Sequence, residues 1–139
     1  MSAPTGRGVD RQGLDASFLA DEAQKSDLLL SAQLLRAQGE VEAAAAKLAQ
    51  AAAMEERLSE RCVARGLRDK ARVHRFSAAS CWAQAGNFYQ AIAWCDELLA
   101  ESDLPDLLRR RVQDYVEQLR ARRAQWYADL SLASAGSEV

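Results

Sequence analysis

Apolar residues recur along this chain at helical steps, in five runs separated by glycine or by a proline turn, and the alternation that a strand needs is sustained nowhere. The first run, about Asp15 to Gln38, places Phe18, Leu28, Leu29, Ala32, Leu34 and Leu35 at helical intervals before Gly39. The second, about Glu40 to Arg65, sets Val41, Ala44, Ala45, Leu48, Ala52 and Cys62 near one face. It stops at Gly66, where a left-handed cap suits a residue without Cβ. The third, about Leu67 to Ala85, carries Ala71, Phe76, Ala78, Ala79 and Trp82, and Gly86 ends it. The fourth, about Phe88 to Glu101, presents Ala91, Ile92, Cys95, Leu98 and Leu99. Asp103-Leu104-Pro105-Asp106 then reads as a fresh start, because an aspartate accepts from the free amides of a first turn and proline is tolerated there. The fifth helix, about Leu104 to Leu130, has Leu108, Val112, Tyr115, Val116, Leu119, Trp126 and Leu130 on one broad stripe. The pattern divides the chain into a flexible lead over 1–13, a single helical domain over 14–130 and a loose tail over 131–139.

A chain of 139 residues suits one core, burying roughly two-thirds of its unfolded surface. Hydrophobic residues make up 49% but aromatics only 6%, so alanine carries much of the apolar content and the helices are expected to pack close together. Alanine leads the helix-propensity ranking, and the two prolines, Pro4 and Pro105, both fall outside helix interiors. A net charge of −2 gives no overall pull toward nucleic acid or acidic membrane. No window approaches the ~18 uninterrupted apolar residues of a membrane span, and Met1 to Gly13 lacks the hydrophobic centre of a secretory signal. Three cysteines without paired spacing, Cys62, Cys81 and Cys95, point to thiols in a reducing compartment and thus to the cytoplasm.

Two segments 47 residues apart (86 − 39) repeat one hairpin signal, Gln38 to Ala44 and Ala85 to Ala91. Each ends a helix with glycine, sets a branched or aromatic residue two positions on and an alanine five positions on. Around the second turn stand Ala79, Trp82, Gly86, Phe88, Ala91, Ile92, Leu98 and Leu99, with Pro105 beyond. Around the first stand Leu28, Ala32, Leu35, Gly39, Val41, Ala44, Leu48 and Ala51. Over about Lys25 to Pro105 these residues resemble the tetratricopeptide repeat family, whose unit is an antiparallel helix pair with small residues where the helices cross. Close approach requires alanine or glycine in place of a long side chain. The resemblance implies an all-α fold, a right-handed array of five helices in which two such hairpins are followed by a C-terminal capping helix. Two departures stand out. The spacing of 47 exceeds the family's ~34, which calls for a long second helix or extra turns. Arg75 also stands where the family usually has a large aromatic residue or leucine.

The resemblance further implies a protein–protein interaction adaptor that takes a peptide or helix in a groove. Ser26, Leu29, Gln33 and Arg36 of the first helix and Val73, Phe76, Ser80 and Ala83 of the third would line it. Only Arg36 offers a cation there, which disfavours capture of a terminal carboxylate. One alternative is a homodimer or homo-oligomeric bundle that buries these residues or the last helix against a second copy. Another uses Arg57, Arg61, Arg65, Arg68, Arg72 and Arg75, which on one continuous helix form a band roughly 80° wide and could meet phosphates or an acidic partner. Gly66 interrupts that band, Glu60 and Asp69 lie beside it and no exposed aromatics interleave, so nucleic acid is disfavoured and a solvated face is the plainer reading. Arg109, Arg110, Arg111, Arg120, Arg122 and Arg123 read as the wet side of the last helix.

Nothing in the sequence assembles a catalytic site. The lone His74 has no identifiable nucleophile or orienting acid, and Cys81 and Cys95 lack the further spaced ligands that zinc requires. No glycine-rich phosphate loop occurs. Trp82 and Trp94 fit hairpin packing better than a ligand cage. The expectation is therefore a cytoplasmic, non-enzymatic adaptor for a protein or peptide, with no cofactor, metal or membrane partner.

Overall fold

The computed structural model describes residues 15–137, with side chains through 135. The expected lead over 1–13 and the last two residues of the expected tail lie outside the described residues. The fold is all-α, and the described residues form five helices in chain order: α1 (Ala16–Ala37), α2 (Val41–Ala64), α3 (Arg68–Gln84), α4 (Phe88–Leu99) and α5 (Asp106–Ser137). Helix α5 continues past Leu130 through most of the stretch expected to be a loose tail.

Three connections share one geometry. Gly39, Gly66 and Gly86 have φ of 80°, 74° and 88°, the region an L side chain avoids. In each turn the residue after glycine donates back across the cap: Glu40 to the Leu35 carbonyl at 2.8 Å, Leu67 to Cys62 at 2.9 Å and Asn87 to Trp82 at 2.8 Å. The glycine amides donate to Arg36, Val63 and Ala83, each at 3.0 Å. Paired bonds of this kind satisfy carbonyls that a helix end otherwise leaves open. The unusual repeat spacing follows: the 24-residue α2 and a third glycine turn at Gly66 lie between the two similar segments.

Helix starts use a different chemistry. Phe18 donates its amide to Asp15 at 2.9 Å and Gln90 to Asn87 at 3.1 Å, side-chain caps for α1 and α4. Asp103 does not cap α5 as its position suggests. Its carboxylate is taken by Arg72 and Arg68, and the helix opens with the Arg109 backbone amide donating to the Pro105 carbonyl at 2.8 Å.

Such short turns fold consecutive helices back on one another. Arg61 near the end of α2 reaches Asp21 near the start of α1, and Arg72 near the start of α3 reaches Glu101 just beyond α4. Helices two apart also touch: Phe18 of α1 lies edge-on to His74 of α3, and Phe76 of α3 to Tyr115 of α5. The largest core cluster joins Ala79, Ala83, Ala91, Ile92, Cys95 and Leu98 to Val112, Val116 and Leu119. A second gathers Phe18, Met54, Leu58, Cys62 and Ala71, and a third Ala51, Ala52 and Cys81. Alanine at these crossings permits close approach, while each fully buried leucine such as Leu58 or Leu98 contributes about 1.5–3 kcal/mol. Four residues expected on packed faces are exposed: Leu34, Val41, Trp126 and Leu130.

Candidate interaction surfaces

One connected set of polar groups lies inside the helix array, around a buried carboxylate. Glu55, 2% exposed, is 2.7 Å from His74 Nδ1, and Lys25 lies 3.7 Å from its other oxygen. The second ring nitrogen of His74 is 3.6 Å from Glu22, which Lys70 approaches at 3.9 Å. The arrangement ties α1, α2 and α3 together, and a buried carboxylate persists because cations and donors surround it. Beside it, Glu56 Oε2 accepts from the indole N–H of both Trp82 and Trp94 at 2.7 Å. Sequence reasoning named neither glutamate. Glu55 did carry a signal, since it interrupts the apolar spacing of Leu48, Ala51, Ala52, Leu58 and Cys62. Glu56 carried none. Among the described residues no group of three or more histidine, cysteine or carboxylate side chains is arranged to hold a metal ion. Cys62, Cys81 and Cys95 are buried free thiols, the last two in different clusters. Burial pushes Cys81 and Cys95 up to about 11, with nearby Glu55 and Asp96 adding to the effect.

The six arginines do not form one band. Gly66 divides them, leaving Arg57, Arg61 and Arg65 at α2 and its turn and Arg68, Arg72 and Arg75 on α3. Arg57 is exposed. Arg61 holds Asp15 at 3.0 Å and Asp21 at 2.7 Å, with Arg65 4.0 Å from Asp15. Asp15 is pulled below the ordinary carboxylate range chiefly by the Phe18 amide, then by these two guanidinium groups. Arg68 holds Asp103 at 2.6 Å. Arg72, 5% exposed, reaches Glu101, Asp103 and Asp69 at 2.8, 2.8 and 3.0 Å. Its hydrogen bond to Glu101 foremost holds the guanidinium charged. Arg75 is 3.5 Å from Glu101 and stands over the Trp94 ring. Five of the six guanidinium groups are thus engaged with carboxylates: Arg61 and Arg65 tie α2 and its turn to the start of α1, and Arg68, Arg72 and Arg75 tie α3 to the α4–α5 loop. On α5, Arg109 leaves the expected wet side and donates to the Leu99 and Glu101 carbonyls.

The expected groove residues separate into two groups. Ser26, Gln33 and Arg36 are exposed along α1, and Leu29 packs partly against Ala51, Ala52 and Cys81. On α3, Val73 is exposed, Phe76 lies against Tyr115 and Ala83 is buried in the main cluster. Ser80 bonds Tyr115, partly offsetting the burial that raises the phenol's pKa. Helix α5 therefore occupies the place where α3 would form an open wall.

Among the described residues two apolar surfaces stand out. At 100° per residue, Leu19, Ala23, Ser26, Leu30, Leu34 and Ala37 fall within about 80° of one another on α1. All are exposed, Leu30 and Leu34 at 56% each, while Phe18, Leu29 and Ala32 face α2 and α3 from the other side. The second surface is the far end of α5, where Trp126, Tyr127 and Arg123 share a cleft of about 400 Å³ with Phe88 and Tyr89. Compared with known proteins, the chain matches no family model, no curated protein and no solved structure.

Proposed function

We propose that this chain is a non-catalytic interaction adaptor of tetratricopeptide-like build, and that it takes a partner helix along the outer stripe of α1. One observation carries the reading: α1 is apolar on two faces, and among the described residues only one of them is covered. A helix apolar all round belongs in an interior. Leu19, Leu30 and Leu34 at helical spacing suit the apolar face of an amphipathic helix, with Ser26, Gln33 and Arg36 as polar neighbours that set its register. Repeated glycine caps and alanine crossings support the family likeness. The opposite flank of the molecule contrasts with this edge, because Arg110, Arg111, Asp114, Glu117 and Gln118 make the outer side of α5 polar, as a cap requires. No bond is made or broken in this role.

Capture from native extract with the wild-type chain and with the Leu30→Asp/Leu34→Asp variant tests it. Both leucines are exposed, so the variant should retain its helicity by circular dichroism and lose the captured protein. An unchanged set of captured proteins would overturn the α1 site. A Phe76 variant would not serve, since its ring packs on Tyr115 and its loss would disturb the core.

A further inference from the structure

Helix α5 is 32 residues long and α4 only 12, or about 48 Å against about 18 Å, so α4 cannot cover its neighbour to the end. The uncovered part nevertheless keeps the same seam. Val112, Val116 and Leu119 are buried, and the same steps of four and three lead on through Arg123, Trp126, Leu130 and Ala133. Trp126 is 52% exposed and Leu130 46%, with Tyr127 beside them. An isolated helical stretch of about 16 residues is marginal in water, so this end gains most from a partner.

From this overhang we infer that the chain self-associates, the ends of two α5 helices packing antiparallel about a two-fold axis between Trp126 and Leu130. Trp126 of each copy then lies on Leu130 of the other, and both continue the seam that α4 begins. Charge selects this direction. Arg120, Arg122 and Arg123 precede Trp126, whereas Asp129 and the negative end of the helix dipole follow it. Arg120 is held by Asp96 and Arg122 stands over Phe88, but among the described residues neither Arg123 nor Asp129 has an ion-pair partner. Antiparallel packing brings Arg123 of one copy about one helical turn from Asp129 of the second and beside its final carbonyls. Parallel packing would set arginine against arginine and aspartate against aspartate. The axis makes every contact twice, so a modest ion pair counts double. This pairing uses none of the α1 stripe and stands apart from the adaptor reading.

Sedimentation equilibrium of the full chain is the test. Wild type at about 100 μM, well above the micromolar range expected of a small interface, should give twice the chain mass of 15.3 kDa. Trp126→Asp and Leu130→Asp should each give a monomer of nearly unchanged core stability, since both side chains are about half exposed and belong to no core cluster. Arg123→Glu and Asp129→Arg should each raise the dissociation constant roughly tenfold, and the two reversals together should restore it. A wild-type monomer at that concentration, a dimer surviving Trp126→Asp, or a double reversal no better than the single ones would each overturn the inference; the first would leave the overhang to a different protein.

Discussion

Glu55 and Glu56 are adjacent in sequence and serve different masters. Glu55 meets His74 of α3 and Lys25 of α1, while Glu56 gathers two indole donors from α3 and α4 onto one oxygen. Truncating Glu56 strands both donors, and at about 1–3 kcal/mol for each orphaned group, moderated by their half-burial, Glu56→Ala should cost about 2–3 kcal/mol. Glu56→Gln keeps an acceptor oxygen and should cost less. Urea unfolding followed by tryptophan fluorescence measures both, and equal losses for the two variants would show that the acceptor is not what matters. Of this pair only Glu55 was legible beforehand, as a charge standing on an apolar stripe; Glu56 stands just off that stripe, and its partners lie 26 and 38 residues away.

Among elements, the glycine turns are the units that local chemistry specifies best. A Cβ added at Gly66 would meet nothing within 4 Å, so its replacement is opposed by backbone conformation alone. Gly66→Ala should therefore destabilise the protein by about 1–2 kcal/mol, the cost of a left-handed backbone for an L side chain. In a thermal melt that is a fall of several degrees. A melting temperature equal to wild type would mean that the turn relaxes freely. The start of α5 was read less well. Asp103 has the chemistry of a cap, yet two arginines of α3 compete for it and win, because a carboxylate gains more from charged donors than from amides.

For the whole molecule, the titrating groups define a window of pH. Cys81 and Cys95 are raised from 9.0 to about 11, so folding favours their neutral thiols. That contribution is intact below pH 9 and is lost as pH rises toward 11. Asp15 and Asp103 are lowered from 3.8, the first mainly by the Phe18 amide and the second because Arg72 and Arg68 outweigh the effect of burial. Their contribution is present above 3.8 and disappears as pH falls through the lowered values. The urea midpoint should thus decline as pH rises above 9.0 and as it falls below 3.8, and Cys81→Ala/Cys95→Ala should flatten the alkaline decline. An alkaline decline identical in that variant would remove the thiols from the account. Both aspartates are well exposed, so added salt should weaken the acid limb.

Helix number, the glycine turns and the all-α class were legible in the chain because they depend on interactions between residues a few positions apart. Apolar period, cap chemistry and positive φ act locally, before any neighbour is in place. Coverage does not. Leu34 and Leu35 are adjacent, and Val116 and Trp126 share a seam, yet one member of each pair is exposed because a helix buries only what its neighbour reaches. The length of α4, the break at Gly66 and the approach of α5 to Phe76 decide which stripes become core, which arginines find carboxylates and which surfaces stay open. Those outcomes depend on packing between helices distant in sequence, and period along a single helix carries no record of it.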